Sequence, residues 1–360
     1  MYWVLRKFIS LLVITLSTFF GIIIFELGLK LLNSNDEWHI VKKGNILRNF
    51  YYSYDVTTLY STKQKKVEYI RNEFGLRDNC KSTKDINILT VGGSTTDQRF
   101  VAFKSTYQYI LEDKLKEFDK NFGCVTNAGV DGHSTWGHIF SFEKWFPLIP
   151  DLQPKYVLLY IGVNDVNFKR ANTPTKNDQN LDQNQNKFLE NFQTYNSLMP
   201  IYKFLQMKFD KKSTIPYHGR FPHNITDNDY QINLLNSKTK ELSKINADSF
   251  KIRLQRILKY IHNLNAIPIC VTQPHRYATI KSGQIYGVPN VYWGEGFSGV
   301  DYDYSIRKIN AVIKELCINT LDLYNYKFKK GDFYDGIHTT SSGSKKIGEE
   351  MASFIISNFY

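Results

Sequence analysis

Five short strand-like runs, spaced by segments of a different period, constrain this chain most. They are Ile86 to Val91, Cys124 to Asn127, Tyr156 to Ile161, Ile267 to Thr272 and Thr320 to Leu323. Each is short and bounded by turn residues, which reads as a buried strand. Between them, Tyr107, Ile110, Leu111, Leu115 and Phe118 recur at helical spacing. So do Phe250, Leu254, Ile257, Leu258 and Ile261 within 246–264, and Ile306, Ile309, Ile313 and Leu316. Trp136 to Leu148 reads as an aromatic-rich helix ending near Pro147 and Pro150, and Ile347, Met351, Phe354 and Ile355 close the chain as another. Such alternation predicts an α/β fold, with a parallel sheet and helices on both faces.

In open α/β sheets, sites form at the carboxyl ends of the strands. Four motifs fall there. Gly92-Gly93-Ser94-Thr95-Thr96 follows the first strand, and Asn127-Ala128-Gly129-Val130-Asp131-Gly132 the second. Gly162-Val163-Asn164-Asp165 follows the third strand, and Asp335-Gly336-Ile337-His338 the fifth. Together they supply a nucleophile (Ser94), a base (His338) and a carboxylate to orient it (Asp335). They also supply three oxyanion donors: the Ser94 and Gly132 amides and the Asn164 side chain. These are the parts of a serine esterase. The three-residue spacing of Asp335 and His338 lets the carboxylate reach imidazole Nδ1 and leaves Nε2 to take the serine proton. Asp332 ranks well below Asp335 as the acid.

Other chemistries fit less well. The glycines before Ser94 are not a phosphate loop, because no lysine follows them. Gly132-His133-Ser134-Thr135-Trp136 imitates a nucleophile elbow but has Trp136 where the last glycine belongs. Ser134 is better read as a helix N-cap. The eight histidines contain no H-E-x-x-H or comparable cluster, so neither a metal nor another cofactor is expected. Net charge is +12, which suits anionic glycans, a membrane face or nucleic acid. The basic residues are scattered and no nucleic-acid motif accompanies them, so a generally basic surface is favoured.

The four motifs resemble the blocks of the SGNH hydrolase superfamily, also called GDSL esterases/lipases. Ser94 matches the serine block, Gly132 the glycine block, Asn164 the asparagine block, and Asp335 with His338 the last block. The resemblance spans roughly residues 84–358. It implies a flavodoxin-like three-layer fold with a five-stranded parallel sheet in the order 2-1-3-4-5. One departure is Gly93, where the family name has Asp; that Asp is not the triad acid. Anchored, extracytoplasmic members often act on acylated glycans, so the resemblance suggests O-acetyl groups on a polysaccharide or a smaller acylated substrate. Three readings stay open: an ester hydrolase, an O-acyltransferase moving the acyl group to a sugar hydroxyl, and a non-catalytic, membrane-tethered glycan-binding protein.

The N-terminus reads as a membrane signal. Phe8 to Phe25 is free of charge, and after Glu26 the apolar stretch runs on to Leu32. About 20 apolar residues span a bilayer, and Arg6 and Lys7 keep the N-terminus cytoplasmic. An uncleaved anchor is favoured over a signal peptide, because the apolar region is long and no Ala-x-Ala site follows. The expected organisation is a cytoplasmic end at 1–7, an anchor helix at 8–32, a linker and packing segment at 33–83, and a catalytic domain at 84–360. Within 33–83, Arg71 to Arg77 reads as a turn, with surface packing favoured over a reach to the active-site rim. Residues 166–245 and 274–304 read as lid-like insertions. The second holds His275, Arg276, Tyr277 and Trp293 as candidate substrate contacts. Of the four cysteines, Cys80 and Cys124 precede strands expected to be neighbours and are expected to pair, whereas Cys270 in its apolar run is expected to be a buried thiol.

Overall fold

The computed structural model describes residues 2–33, 37–60, 65–170, 173–174, 178, 225–291 and 296–360. The chain forms two units, Met1–His39 with Asp182–Thr214, and Ile40–Leu181 with Ile215–Tyr360. In the first, Tyr2–Asn33 is one helix (α1). Its stretch Arg6–Gly28 is 23 residues long with mean hydropathy 2.5, and none of it is buried within the chain. It is long and apolar enough to cross a membrane.

The second unit opens with an antiparallel hairpin, Phe50–Asp55 (β1) against Lys66–Arg71 (β2). β2 alternates strictly, turning Val67, Tyr69 and Arg71 inward. Next come Ile86–Gly92 (β3), Ser94–Asp97 (α2), Tyr107–Phe118 (α3), Cys124–Asn127 (β4) and Thr135–Phe140 (α4). They are followed by Tyr156–Tyr160 (β5), Ser237–Asn263 (α5), Ile267–Val271 (β6) and a hairpin of Ala278–Lys281 (β7) with Gln284–Gly287 (β8). Gly299–Leu316 (α6), Thr320–Leu321 (β9) and Ser341–Phe359 (α7) complete the chain.

The main sheet has the order β4-β3-β5-β6-β9, every neighbouring pair parallel. By rank along the chain this is 2-1-3-4-5, as the family resemblance implies. Central β5, Tyr-Val-Leu-Leu-Tyr, is wholly buried. On one face Ile88, Tyr156, Leu158 and Ile269 pack against Leu111 and Leu115 of α3 and Ile347, Met351 and Ile355 of α7. Helix α5 packs on both α4 and α6.

The helix expected at Trp136 to Leu148 is α4 continued by a π turn, Ser141–Trp145, and a 3-10 turn, Phe146–Leu148. Helix α5 starts nine residues before the expected 246, at Ser237 behind its Asn236 cap. Its early inward positions, Thr239, Ser243 and Asn246, are polar. They bury by hydrogen bonding, as Ser243 Oγ does to Ser305 Oγ at 2.7 Å, so apolar periodicity does not reveal them. Much of the expected insertion 166–245 lies outside the described residues. The expected free thiol at Cys270 is corrected: Cys270 is bonded to Cys317. Cys317 caps the C-terminus of α6 and lies three residues before Thr320, the register partner of Cys270. Cys80 and Cys124 are bonded as expected.

Candidate active site

Ser94 is the first residue of α2, one glycine beyond β3. A Cβ on Gly92 would lie 2.1 Å from Thr96 Oγ1 and 2.5 Å from the Tyr160 carbonyl, so only glycine lets α2 start this close to β5. Across the sheet edge, Tyr334 to His338 forms a tight loop, closed by the Tyr334 amide on the His338 carbonyl at 3.0 Å. Inside it, Asp335 Oδ1 accepts from the amides of Ile337 (2.8 Å) and His338 (2.6 Å). The other oxygen, Oδ2, lies 2.6 Å from His338 Nδ1. Nε2 of the same imidazole lies 2.7 Å from Ser94 Oγ. Burial pulls the His338 pKa down, but the Asp335 charge and hydrogen bond outweigh it and leave the imidazole above its usual value. Asp131 adds to that effect and Arg99 opposes it. A serine hydroxyl bonded to a carboxylate-oriented imidazole can be deprotonated as it attacks.

Gly132 sits at φ +78°, a conformation that favours glycine. The turn before it is closed by the His133 amide on the Val130 carbonyl at 3.1 Å. Asn164 Nδ2 donates to the His133 carbonyl at 2.9 Å, which uses one of its two hydrogens and leaves the other for a ligand. A Cβ on Gly93 would lie 2.6 Å from Asn164 Nδ2 and 3.0 Å from the His133 oxygen. The glycine that departs from the family name therefore lets Asn164 approach the backbone beside Ser94.

A family model described as GDSL-like lipase/acylhydrolase matches residues 88–351, most of the chain. The chain belongs to that family. By that membership it is a carboxylic ester hydrolase. No curated protein is significantly similar to it in sequence. Among solved structures it is similar to Axe2, an acetylxylan esterase from Geobacillus stearothermophilus, at 14% identity and TM-score 0.40, covering 76% of this chain and 94% of that one. It is similar also to the acetyl xylan esterase AlAXEase, at 14% identity and TM-score 0.38, covering 74% and 98%. A third is the psychrotrophic esterase EstA from Pseudoalteromonas sp., at 11% identity and TM-score 0.36, covering 75% and 97%.

Most supports of this acylhydrolase's site come from outside the four motifs. Arg170 Nη1 donates to the Gly132 carbonyl at 2.6 Å. Asp178 Oδ1 accepts from the Ser134 amide (2.6 Å) and hydroxyl (2.5 Å). Ser134 caps α4, as expected. Asp165, next to Asn164, accepts from the Thr135 amide at 3.1 Å and pairs with Arg253 at 3.3 Å. The turn Arg71 to Arg77 is not the surface packing expected of it. Both arginines are 3% exposed, because each has carbonyls to satisfy deep in the fold. Arg71 reaches the Asn127 carbonyl at 2.9 Å and the Gly129 carbonyl at 2.5 Å, and also pairs with Asp97. Arg77 donates to the carbonyls of Asp97, Gln98 and Val101. Gly75 does take positive φ, at +82°.

The expected substrate contacts His275, Arg276 and Tyr277 make the following contacts within the fold. His275 Nε2 lies 3.2 Å from Asp303 Oδ1, and its side chain is buried. The Arg276 amide donates to the Gly336 carbonyl at 2.7 Å, and its guanidinium to the carbonyls of Lys330 and Ile225. The Tyr277 ring fills the space a Gly336 side chain would need, 2.1 Å from the Cβ position. Arg276 and Tyr277 thus meet the Asp335–His338 loop at Gly336. Trp293 lies outside the described residues. Asp332 is not beside the imidazole; it accepts from Ser342 Oγ at 2.8 Å and pairs with Lys346 at 2.5 Å.

Proposed function

We propose that this acylhydrolase cleaves acyl esters, O-acetyl esters of a glycan foremost, through a Ser94 acyl-enzyme. The reading rests above all on the unbroken chain Ser94 Oγ–His338–Asp335, with separations of 2.7 and 2.6 Å. Ser94 Oγ attacks the acyl carbon while its proton passes to His338 Nε2. The Ser94 and Gly132 amides and the Asn164 side chain take the charge that develops on the carbonyl oxygen. Collapse expels the alcohol, which leaves with the proton from His338. Water then gives a proton to His338 and attacks the acyl carbon. The acid departs and Ser94 regains its proton. Asp335 keeps Nδ1 protonated throughout and stabilises the imidazolium.

In this reading Arg6–Gly28 anchors the protein with its N-terminus cytoplasmic and its catalytic unit outside. Arg6 and Lys7 support that orientation, and the two disulfides suit an oxidising compartment.

The test uses the full-length chain in detergent micelles. Acetate release from p-nitrophenyl acetate and from O-acetylated xylan oligosaccharides is compared with that of Ser94→Ala and His338→Ala. The reading expects release from both substrates by the wild type, and a fall of roughly 10³-fold or more in each variant. Turnover that survives Ser94→Ala overturns the serine mechanism. Release of p-nitrophenol without free acetate, and only when an added sugar accepts the acyl group, would identify a transferase instead.

A further inference from the structure

The family match starts at residue 88, yet the hairpin before it reaches the base. Tyr334, beside Asp335, is 5% exposed. Its ring lies nearly parallel to the His338 imidazole, centroids 5.6 Å apart and planes 9° apart. Tyr60, from the connection between β1 and β2, stacks on Tyr334 in turn, at 5.6 Å and 20°. Three planar side chains thus form a column that ends on His338.

Tyr60 is itself fixed. Its hydroxyl donates to the Phe100 carbonyl at 2.6 Å. Val56, Leu59, Phe100 and Tyr334 are buried together around it. Burial raises the Tyr60 pKa to about 12, against a smaller opposing effect from its bond to Ser341, so it remains a donor. Phe100 follows α2, the element that starts with Ser94. Tyr60 therefore ties the element carrying the serine to the loop carrying the histidine.

The column answers a mechanical need. The attachment at Cβ and the hydrogen bond from Nδ1 to Asp335 still allow small concerted changes of χ1 and χ2 that swing the imidazole. A swing carries Nε2 away from Ser94 Oγ, and displacement of about 1 Å at such a site can cost ~10²-fold in rate. The Tyr334 face blocks the swing on one side, and Tyr60 keeps Tyr334 from yielding.

We propose that Tyr60 is a positioning residue for His338, acting through the Tyr334 ring, so that the hairpin preceding the family domain is part of the catalytic apparatus. The inference rests on His338 being the base.

The test measures kcat and KM for p-nitrophenyl acetate with full-length wild type, Tyr60→Leu and Tyr60→Phe. Leu has no planar face to stack, whereas Phe keeps the ring and loses the hydroxyl. The expected result is a kcat about tenfold lower in Tyr60→Leu, KM within about twofold of wild type, and restoration of most of the rate in Tyr60→Phe. A Tyr60→Leu rate within twofold of wild type overturns the proposal. A Tyr60→Phe rate as low as that of Tyr60→Leu overturns it too, because the bond to Phe100 would then carry the effect. Loss of cooperative unfolding in Tyr60→Leu would assign Tyr60 to packing alone, with the same consequence. A wild type without Ser94-dependent turnover removes the reading of the triad instead, so the two failures are distinguishable.

Discussion

Asp97, the last residue of the short helix that starts with Ser94, forms a buried ion pair with Arg71 of the N-terminal hairpin. Arg99 pairs with the other carboxylate oxygen at 2.9 Å, and the Tyr69 hydroxyl donates to the first at 2.6 Å. Burial alone would raise the Asp97 pKa, but Arg99 and Arg71 reverse the effect and hold it at about 2. One carboxylate thus joins the hairpin to the element carrying the serine. Asp97→Asn leaves the Arg71 guanidinium buried without its counter-charge, while Arg99 keeps Asp131 at 3.4 Å; such a loss typically costs about 3–5 kcal/mol. Urea denaturation of the two proteins at neutral pH measures it. A loss below about 1 kcal/mol would contradict a supporting role for this pair.

The pH dependence follows from His338. The imidazole must be neutral to accept the serine proton, and Asp335 holds its pKa above the usual value. Activity is therefore lost as pH falls through a midpoint above the ordinary imidazole value of about 6.5. In Asp335→Asn the raising charge is gone, so the midpoint moves to lower pH. The plateau rate also falls, by about 10³–10⁴-fold, because the amide no longer selects the right tautomer. A profile of kcat/KM against pH for both proteins checks the sign. A midpoint that stays put in Asp335→Asn would rule out this origin.

Gly93 offers a test of the oxyanion side. A methyl group there meets both partners of the bond between Asn164 and the His133 carbonyl, at 2.6 and 3.0 Å. Gly93→Ala should displace the Asn164 amide and weaken its donation to the oxyanion. Loss of one donor costs about 10²–10³-fold in kcat, and partial displacement should cost about tenfold or more. Folding should change little, as thermal unfolding will show. An alanine variant with wild-type kcat would mean that Asn164 yields without loss.

Much of the architecture was legible in the residues. The five strands are short runs, three of them largely apolar, and the four site motifs follow strands, the last of them by a longer connection. Asp335 and His338 lie in one loop, so sequence spacing alone places their contact. What escaped has physical reasons. Arg71 occupies an inward position of an alternating strand, and an isolated arginine in such a pattern reads as exposed unless its partners are known. Those partners, Asp97 and the carbonyls of Asn127 and Gly129, are distant in sequence. Cys270 and Cys317 are separated by 47 residues, and a cysteine within an apolar run gives no pairing signal. His275 and Tyr277 follow a strand end, where substrate contacts are expected, and sequence position does not reveal their packing against Asp303 and Gly336. Tyr60 and Tyr334 are aromatic residues in a chain that has 24 tyrosines, so composition could not single them out.

The central claim is that Ser94 is a nucleophile activated by His338. Mass mapping after exposure of the full-length protein to a fluorophosphonate tests it most directly. One adduct per chain on Ser94, formed rapidly by the wild type and slowed by orders of magnitude in His338→Ala, is the result the account predicts. An adduct on another serine, or equal labelling of Ser94 without the histidine, would contradict it.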